Sequence, residues 1–396
     1  MKRILIITLS LSIFTSCSYL EDPHSNNIET PSKSDVIYIS NFETLDVERD
    51  ISSDGILDTD YYVELFEDDS IFLSVLDDSC KSTYRTIYEY HIGKKTISYL
   101  FSTEFDISYW PDYYYKGYYF TLPCTVEDNK LIMHVIVSDT KNKITNVIAE
   151  IEVTSPYYYI KSIDETSVAF MIFSENGQST SQSIFKYDII NGNTTEIYHH
   201  EYVEENQYNA WTFDTWNGNI YILSTKANDS FRSWEIYCIN SDGKEIMREE
   251  LMGLDSYSIP ECSVNQLTVC DDLYMLQFYN SANNAGFICL DRCDFTSNYQ
   301  FGAYMPCSLL QKNNNYLVFD TYPDNEDYVS GNYSTSICVF DLADNSYNFL
   351  KFNISGNNIP RDIFVNEYGD ILICVYSDKD KGNRILLKKN ALDDIV

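Results

Sequence analysis

Histidine, cysteine and paired carboxylates are the side chains through which this chain could bind metal or attack a substrate, and their spacing argues against most such chemistry. The histidines are His24, His91, His134 and the adjacent His199 and His200. Neighbouring residues on a strand point to opposite faces, so the last two cannot readily share one ion. Beyond Cys17 there are Cys80, Cys124, Cys238, Cys262, Cys270, Cys289, Cys293, Cys307, Cys338 and Cys374. Cys289 and Cys293 would lie about 13 Å apart on extended chain, too far for one zinc. Cys238, Cys338 and Cys374 sit inside apolar runs, where a thiol acts as a small hydrophobe. Mostly free, buried thiols are therefore expected, with one or two disulfides as the alternative and no metal. The loop Ser377–Asn383 looks partly like a calcium loop but lacks the later Glu and carries two lysines, so a solvated loop is expected.

Glycine-rich phosphate loops, the Gly-x-Ser-x-Gly elbow and His-Glu-x-x-His are all missing, so no cofactor is expected and no catalytic residue can be named. Carboxylate pairs could support glycoside hydrolysis. Sixty acids in one chain, however, single out no pair. Against 27 Lys and Arg they give a net charge of −33, which repels polyanions and excludes nucleic acid as a partner.

Lys2 and Arg3 precede an apolar run from Ile4 to Phe14, and Thr15-Ser16-Cys17 follows. This run of eleven residues is too short to span about 30 Å of hydrocarbon, so residues 1–16 read as a secretory signal. Small residues directly before a cysteine resemble the lipobox of bacterial lipoproteins. That resemblance implies a lipidated Cys17 as the new N-terminus, on a protein anchored to the bacterial cell membrane or outer membrane and facing the periplasm or exterior. Residues 17–34, rich in Ser, Asn, Pro and acid, read as a flexible tether.

From residue 35 the chain repeats. Short Tyr/Ile/Val/Phe runs bounded by Asn, Asp, Gly and Ser recur, and no long stretch has helical spacing. The strongest run in each unit begins at Ile71, Tyr119, Val168, Ile220, Leu273, Tyr316 and Ile371, at intervals of 43 to 55 residues. This period marks an all-β β-propeller of seven four-stranded blades, with six or eight as alternatives, filling residues 35–396. A hairpin turn between third and fourth strands recurs at Gly93-Lys94-Lys95, Thr140-Lys141-Asn142, Asn191-Gly192-Asn193, Ser241-Asp242-Gly243 and Ala343-Asp344-Asn345. The seventh unit lacks an outer strand, and Val36–Ile39 is expected to pair with it and close the ring. By period and strand pattern the chain resembles the propeller lipoproteins of bacteria, but it carries no WD, kelch or sialidase repeat motif.

Six polar connections between second and third strands are expected as long loops on one face: Cys124–Asn129, Ser174–Ser183, Thr225–Ser233, Asn280–Gly286, Thr321–Ser334 and Ser377–Asn383. The longest holds Tyr322, Asp324, Asp327 and Tyr328, which suit a protein or glycan ligand. Trp110, Trp211 and Trp216 are further candidates for stacking on a sugar, unless they fill the wedge between blades. The expected function is a ligand-binding or interaction module, with a glycan-active hydrolase or lyase on the same scaffold as the alternative.

Overall fold

Alternating apolar and polar residues give a strand one face to bury, and short strands joined by tight turns stack their faces on the next unit of the same kind. Seven sheets result among the described residues, one in each blade. In the computed structural model the described residues lie between 36 and 388. Outside them are 40–41, 46, 48–60, 78–82, 106–111, 177–178, 202–207, 229–230, 252–262, 280–284, 294–296, 304–310, 313–315, 321–335, 342–345, 353–358, 367 and 378–379, together with both ends of the chain.

Two strands come first, β1 (Val36–Ile39) and β2 (Glu43–Leu45). The first blade is then β3 (Tyr61–Glu67), β4 (Ser70–Asp77), β5 (Thr83–His91) and β6 (Thr96–Phe105). The second is β7 (Tyr113–Tyr115), β8 (Tyr118–Thr121), β9 (Cys124–Glu127), β10 (Lys130–Asp139) and β11 (Ile144–Val153). Both β8 and β9 pair with β10, and the break between them falls at Leu122-Pro123, where proline has no N–H for the ladder. The third blade is β12 (Tyr158–Asp164), β13 (Ser167–Asn176), β14 (Ser179–Asp188) and β15 (Asn193–Glu201). The fourth is β16 (Tyr208–Trp216), β17 (Asn219–Asn228), β18 (Phe231–Asn240) and β19 (Glu245–Glu250). The fifth is β20 (Ser263–Val269), β21 (Leu273–Tyr279), β22 (Ala285–Asp291) and β23 (Ser297–Ala303). The sixth is β24 (Gln311–Lys312), β25 (Tyr316–Asp320), β26 (Ser336–Asp341) and β27 (Ser346–Phe352). The seventh has β28 (Ile359–Val365), β29 (Ile371–Ser377) and β30 (Asp380–Leu387). All seven repeat starts read from the sequence fall in the second strand of their blade.

The seventh blade does take its outer strand from the N-terminal segment, but the strand is not the expected one. It is β2 that pairs antiparallel with β30, through Glu43 with Leu386 and Leu45 with Arg384. Val36–Ile39 instead pairs parallel with β27 and becomes a fifth strand on the sixth blade. Alternation hid β2, because only one of its three residues is buried.

The core is a ring of apolar clusters, one in each gap between neighbouring sheets. Phe72 and Ile87 meet Tyr119 and Ile136 between the first and second blades. Cys270, Met275 and Cys289 meet Leu317, Phe319 and Cys338 between the fifth and sixth. The ring closes where Phe364, Leu372 and Leu386 of the seventh pack on Phe66, Ile71 and Leu73 of the first. Side chains also tie one inner strand to the next. Tyr113 Oη accepts from Ser162 N at 2.9 Å, Thr215 Oγ1 donates to Ser162 O at 2.5 Å, and Asp214 Oδ2 accepts from Val269 N at 2.8 Å. Asn366 Nδ2 donates to Asp68 O at 2.9 Å across the closure.

Candidate functional site

Antiparallel order divides the connections between two faces. First-to-second and third-to-fourth turns leave one face, here the turn face, and each spans only two to five residues. Many contain a left-handed residue: Asp68, Lys95, Lys116, Lys143, Gly192, Asn217 and Gly243 all have positive φ. The opposite, loop face receives the second-to-third and blade-to-blade connections, which run from two residues to fifteen. Variation in length is thus confined to one side of the disc, as suits a rigid scaffold presenting a recognition surface.

Not all of the expected loops are loops. Ser174–Ser183 is mostly strand, with Ser174 paired to Ser181 and Asn176 to Ser179. Thr225–Ser233 likewise pairs Thr225 with Trp234 and Asn228 with Phe231. Cys124–Asn129 holds β9, and Ser377 pairs with Asp380. Polar residues form these ribbons even where they are buried, as at Ser181, Gln182 and Ser183, so their sequences look like loops. The long second-to-third connections are 280–284 and 321–335, both outside the described residues.

Tyr322, Asp324, Asp327 and Tyr328 lie in the second of these segments, and Trp110 lies in 106–111, so all five fall outside the described residues. Both segments are connections of the loop face. Trp211 sits on β16 with its side chain outside the description. Trp216, at the far end of the same strand, belongs to the turn face. It packs against the cluster between the fourth and fifth blades and donates from Nε1 to Asp271 Oδ1 at 2.8 Å. Next to it Arg292 lies over the rings of Tyr221 and Tyr274, at 5.1 and 5.2 Å, and donates to Tyr221 Oη at 2.9 Å. Trp216 is therefore part of the wedge between two blades, apart from the loop-face candidates.

The densest chemistry among the described residues escaped the sequence reading. Between the first and second blades, Arg85 on β5 is 1% exposed and contacts Glu64 of β3 at 2.9 Å and Asp112, just before β7, at 2.6 Å. Arg85 Nη1 also donates to Thr121 Oγ1 at 3.3 Å. Ser74 Oγ donates to Glu64, and Tyr119 Oη to Asp112. Burial pushes the Glu64 carboxyl up to about 7; Arg85 opposes the rise and Asp112 adds to it. Burial works against the charge of Arg85, yet Asp112 and Glu64 together hold its pKa well above the ordinary value. Burial, then Asp112, pushes the Tyr119 phenol far up as well. A signal for part of this cluster was present: Arg85 has the strand parity of Ile87, buried in the same gap, whereas a bulge between Val63 and Leu65 turns Glu64 to the gap opposite Phe66. With both carboxylates and the guanidinium shut away from solvent, the network joins blades and can take up a proton, but offers no surface to a substrate.

The histidines on the outer strands are hydrogen-bonded. Ser183 Oγ donates to Glu196 Oε1 at 2.6 Å and meets His199 Nδ1 at 2.9 Å, while Glu196 Oε1 reaches the same nitrogen at 3.2 Å. A nucleophile and its orienting acid would need the two different ring nitrogens, so this is not a catalytic triad. His91 sits against Ser70 and Glu89, and His134 against Thr125 and Glu150. His200 stacks on Tyr198, on the strand face opposite His199. Among the described residues, Cys124, Cys238, Cys270, Cys289 and Cys338 are free and buried, Cys374 is half-buried and Cys293 is exposed. No cluster of three His, Cys, Asp or Glu able to hold a metal ion occurs among the described residues.

Sheets, closure and interblade clusters define the molecule as a β-propeller. The chain matches no family model and no curated protein. It is similar in structure to the β-propeller domain of the Trilobed protease from Pyrococcus furiosus, with 10% identity, a TM-score of 0.50, and 82% of this chain and 98% of that one covered. Oligogalacturonate lyase from Vibrio parahaemolyticus aligns at 12% identity and TM-score 0.45 over 82% and 88% of the two chains. A puromycin-hydrolyzing peptidase of Mycobacterium tuberculosis aligns at 8% and 0.48 over 83% and 51%. At such identities the likeness concerns the fold alone.

Proposed function

We propose that this protein is an exported propeller lipoprotein, held to a bacterial membrane through a lipid on Cys17, whose loop face binds a protein or glycan ligand. The observation that carries the reading is the unequal division of chain between the faces. The turn face has short turns throughout, whereas the loop face holds every connection longer than five residues. Among these is 321–335, with Tyr322, Asp324, Asp327 and Tyr328. Tyr supplies large contact area at small entropy cost, and carboxylates give directional acceptors for sugar hydroxyls or cationic side chains. Anchoring is supported by the Lys2–Cys17 pattern.

A glycan-array and pull-down screen with residues 35–396 tests the binding role, beside the same chain with Thr321–Ser334 shortened. Binding that disappears on shortening supports the reading. Binding unaffected by it moves the site to the central channel and favours an enzyme. Anchoring is tested separately, by membrane fractionation of the full chain and of Cys17→Ser; a Cys17→Ser chain that stays in the membrane refutes it.

A further inference from the structure

We propose that the turn face of the propeller lies against the lipid bilayer and that the loop face points away from it. The inference rests on the lipid-anchored reading above and adds an orientation to it. Three observations converge.

The first is where the tether enters. β1 runs parallel to β27, with Val36 opposite Phe349 and Ile39 opposite Phe352. β27 begins at the third-to-fourth turn of its blade, so β1 runs away from the turn face and its first residue, Val36, is the end directed toward that face of the sixth blade. Residues 18–35 then span at most about 60 Å fully extended, or about 24 Å root-mean-square as a flexible coil. A lipid on Cys17 would hold that side of the disc within reach of the bilayer.

The second is charge. Connections of the loop face carry nineteen acidic and three basic residues, those of the turn face ten and seven. Exposed Lys94, Lys95, Lys116, Lys141 and Lys143 come from the turns of the first two blades. An anionic bilayer repels the loop face much more strongly than the nearly balanced turn face.

The third is apolar exposure. Ile144 opens β11, Ile190 lies within the turn before β15 and Ile246 is the second residue of β19, so all three sit at or within two residues of a third-to-fourth turn in three consecutive blades, and they are 54%, 74% and 57% exposed. Branched aliphatic side chains exposed along a turn rim are suited to insert shallowly at a headgroup boundary.

Hydrogen exchange read by mass spectrometry tests the orientation. The lipidated full chain is reconstituted in vesicles of phosphatidylethanolamine and phosphatidylglycerol and compared with soluble residues 35–396. A chain with a histidine tag before residue 18, bound to nickel-lipid vesicles, provides attachment that does not depend on Cys17. In both attached forms, exchange should slow severalfold at 92–95, 140–143, 189–192 and 241–244, and stay unchanged around Asn176–Ser179 and Asn228–Phe231. The triple variant Ile144→Ser, Ile190→Ser, Ile246→Ser should remain attached and folded yet lose that protection. Protection of the loop-face hairpins, or of neither face in chains that sediment with vesicles, overturns the orientation. A full chain that fails to sediment while the tagged form shows turn-face protection refutes the lipid anchor but leaves the orientation standing.

Discussion

Replacing Glu64 with glutamine should remove a specific pH dependence from the stability of this propeller. Glu64 and Asp112 share the single guanidinium of Arg85 in a space sealed from water, so one carboxylate too many is buried there. The folded protein consequently holds a proton at Glu64 up to a pH of about 7, whereas the unfolded chain releases it near 4.5. Because the folded state binds this proton more tightly, its contribution to stability is complete below pH 4.5 and declines as pH rises through 7. The whole change is about 3 kcal/mol, at 1.36 kcal/mol for each pH unit. Glutamine is neutral throughout; turned so that its oxygen faces Arg85, its amide can donate to Ser74 Oγ. Melting curves of wild type and Glu64→Gln should nearly coincide at pH 4.5 to 5, and the wild type should fall behind between pH 5 and 7.5 by on the order of 5 °C. Groups outside the network keep the same surroundings in both proteins, so their contributions cancel in the difference. Parallel curves from pH 4.5 to 8 would refute the argument.

Gly243 and Gly192 are both left-handed, φ +81° and +67°, in neighbouring third-to-fourth turns, where Gly243 is the third residue of its turn and Gly192 the last. A Cβ on Gly243 would sit 1.9 Å from Ile197 O, while one on Gly192 meets nothing within 4 Å. Gly192→Ala should therefore cost about 1 kcal/mol for the backbone alone, and Gly243→Ala at least twice that; equal losses in denaturant titrations would contradict the packing. Removal of residues 35–41 deletes β1 but leaves β2 on β30, so it should lower the melting temperature by several degrees through the sixth blade. Extending the deletion through Leu45 should cost more, because the seventh blade then loses its outer strand and Leu45 leaves the closing cluster.

The repeating architecture was legible because each blade keeps one run whose buried face is unmistakable, such as Ile71–Leu73 or Ile220–Leu223, and because Asp-Gly and Asn-Gly have few uses other than a tight turn. Two features were not. Polarity marks Ser174–Ser183 and Thr225–Ser233 as loops, yet both are paired hairpins, and Ser181, Gln182 and Ser183 are at once polar and buried. At the first interblade gap, Glu64, Arg85 and Asp112 are the residue types expected on a solvated face, and only Arg85 shares the parity of an apolar residue of that gap, Ile87. Parity cannot tell a buried ion from an exposed one until the partners on β3, β5 and the segment before β7 are brought together, and those lie up to 48 residues apart.

Why such a network should lie at this gap follows from how little backbone the second blade offers there. Its inner strand β7 has three residues, and its second strand is broken at Pro123. The charges therefore fix how the second blade seats on the first, and do so at a cost in desolvation. Arg85→Met alone leaves Glu64 and Asp112 buried without a counter-charge, and should destabilise the protein by about 3–5 kcal/mol at pH 7.5. The combined Glu64→Leu, Arg85→Met, Asp112→Leu variant removes all three charges at once and should regain most of that loss, although Ser74 and Tyr119 then lack acceptors. Recovery measured by chemical denaturation would identify the single variant's loss as uncompensated charge; a triple variant no more stable than Arg85→Met would mean that the ions are indispensable to the packing itself.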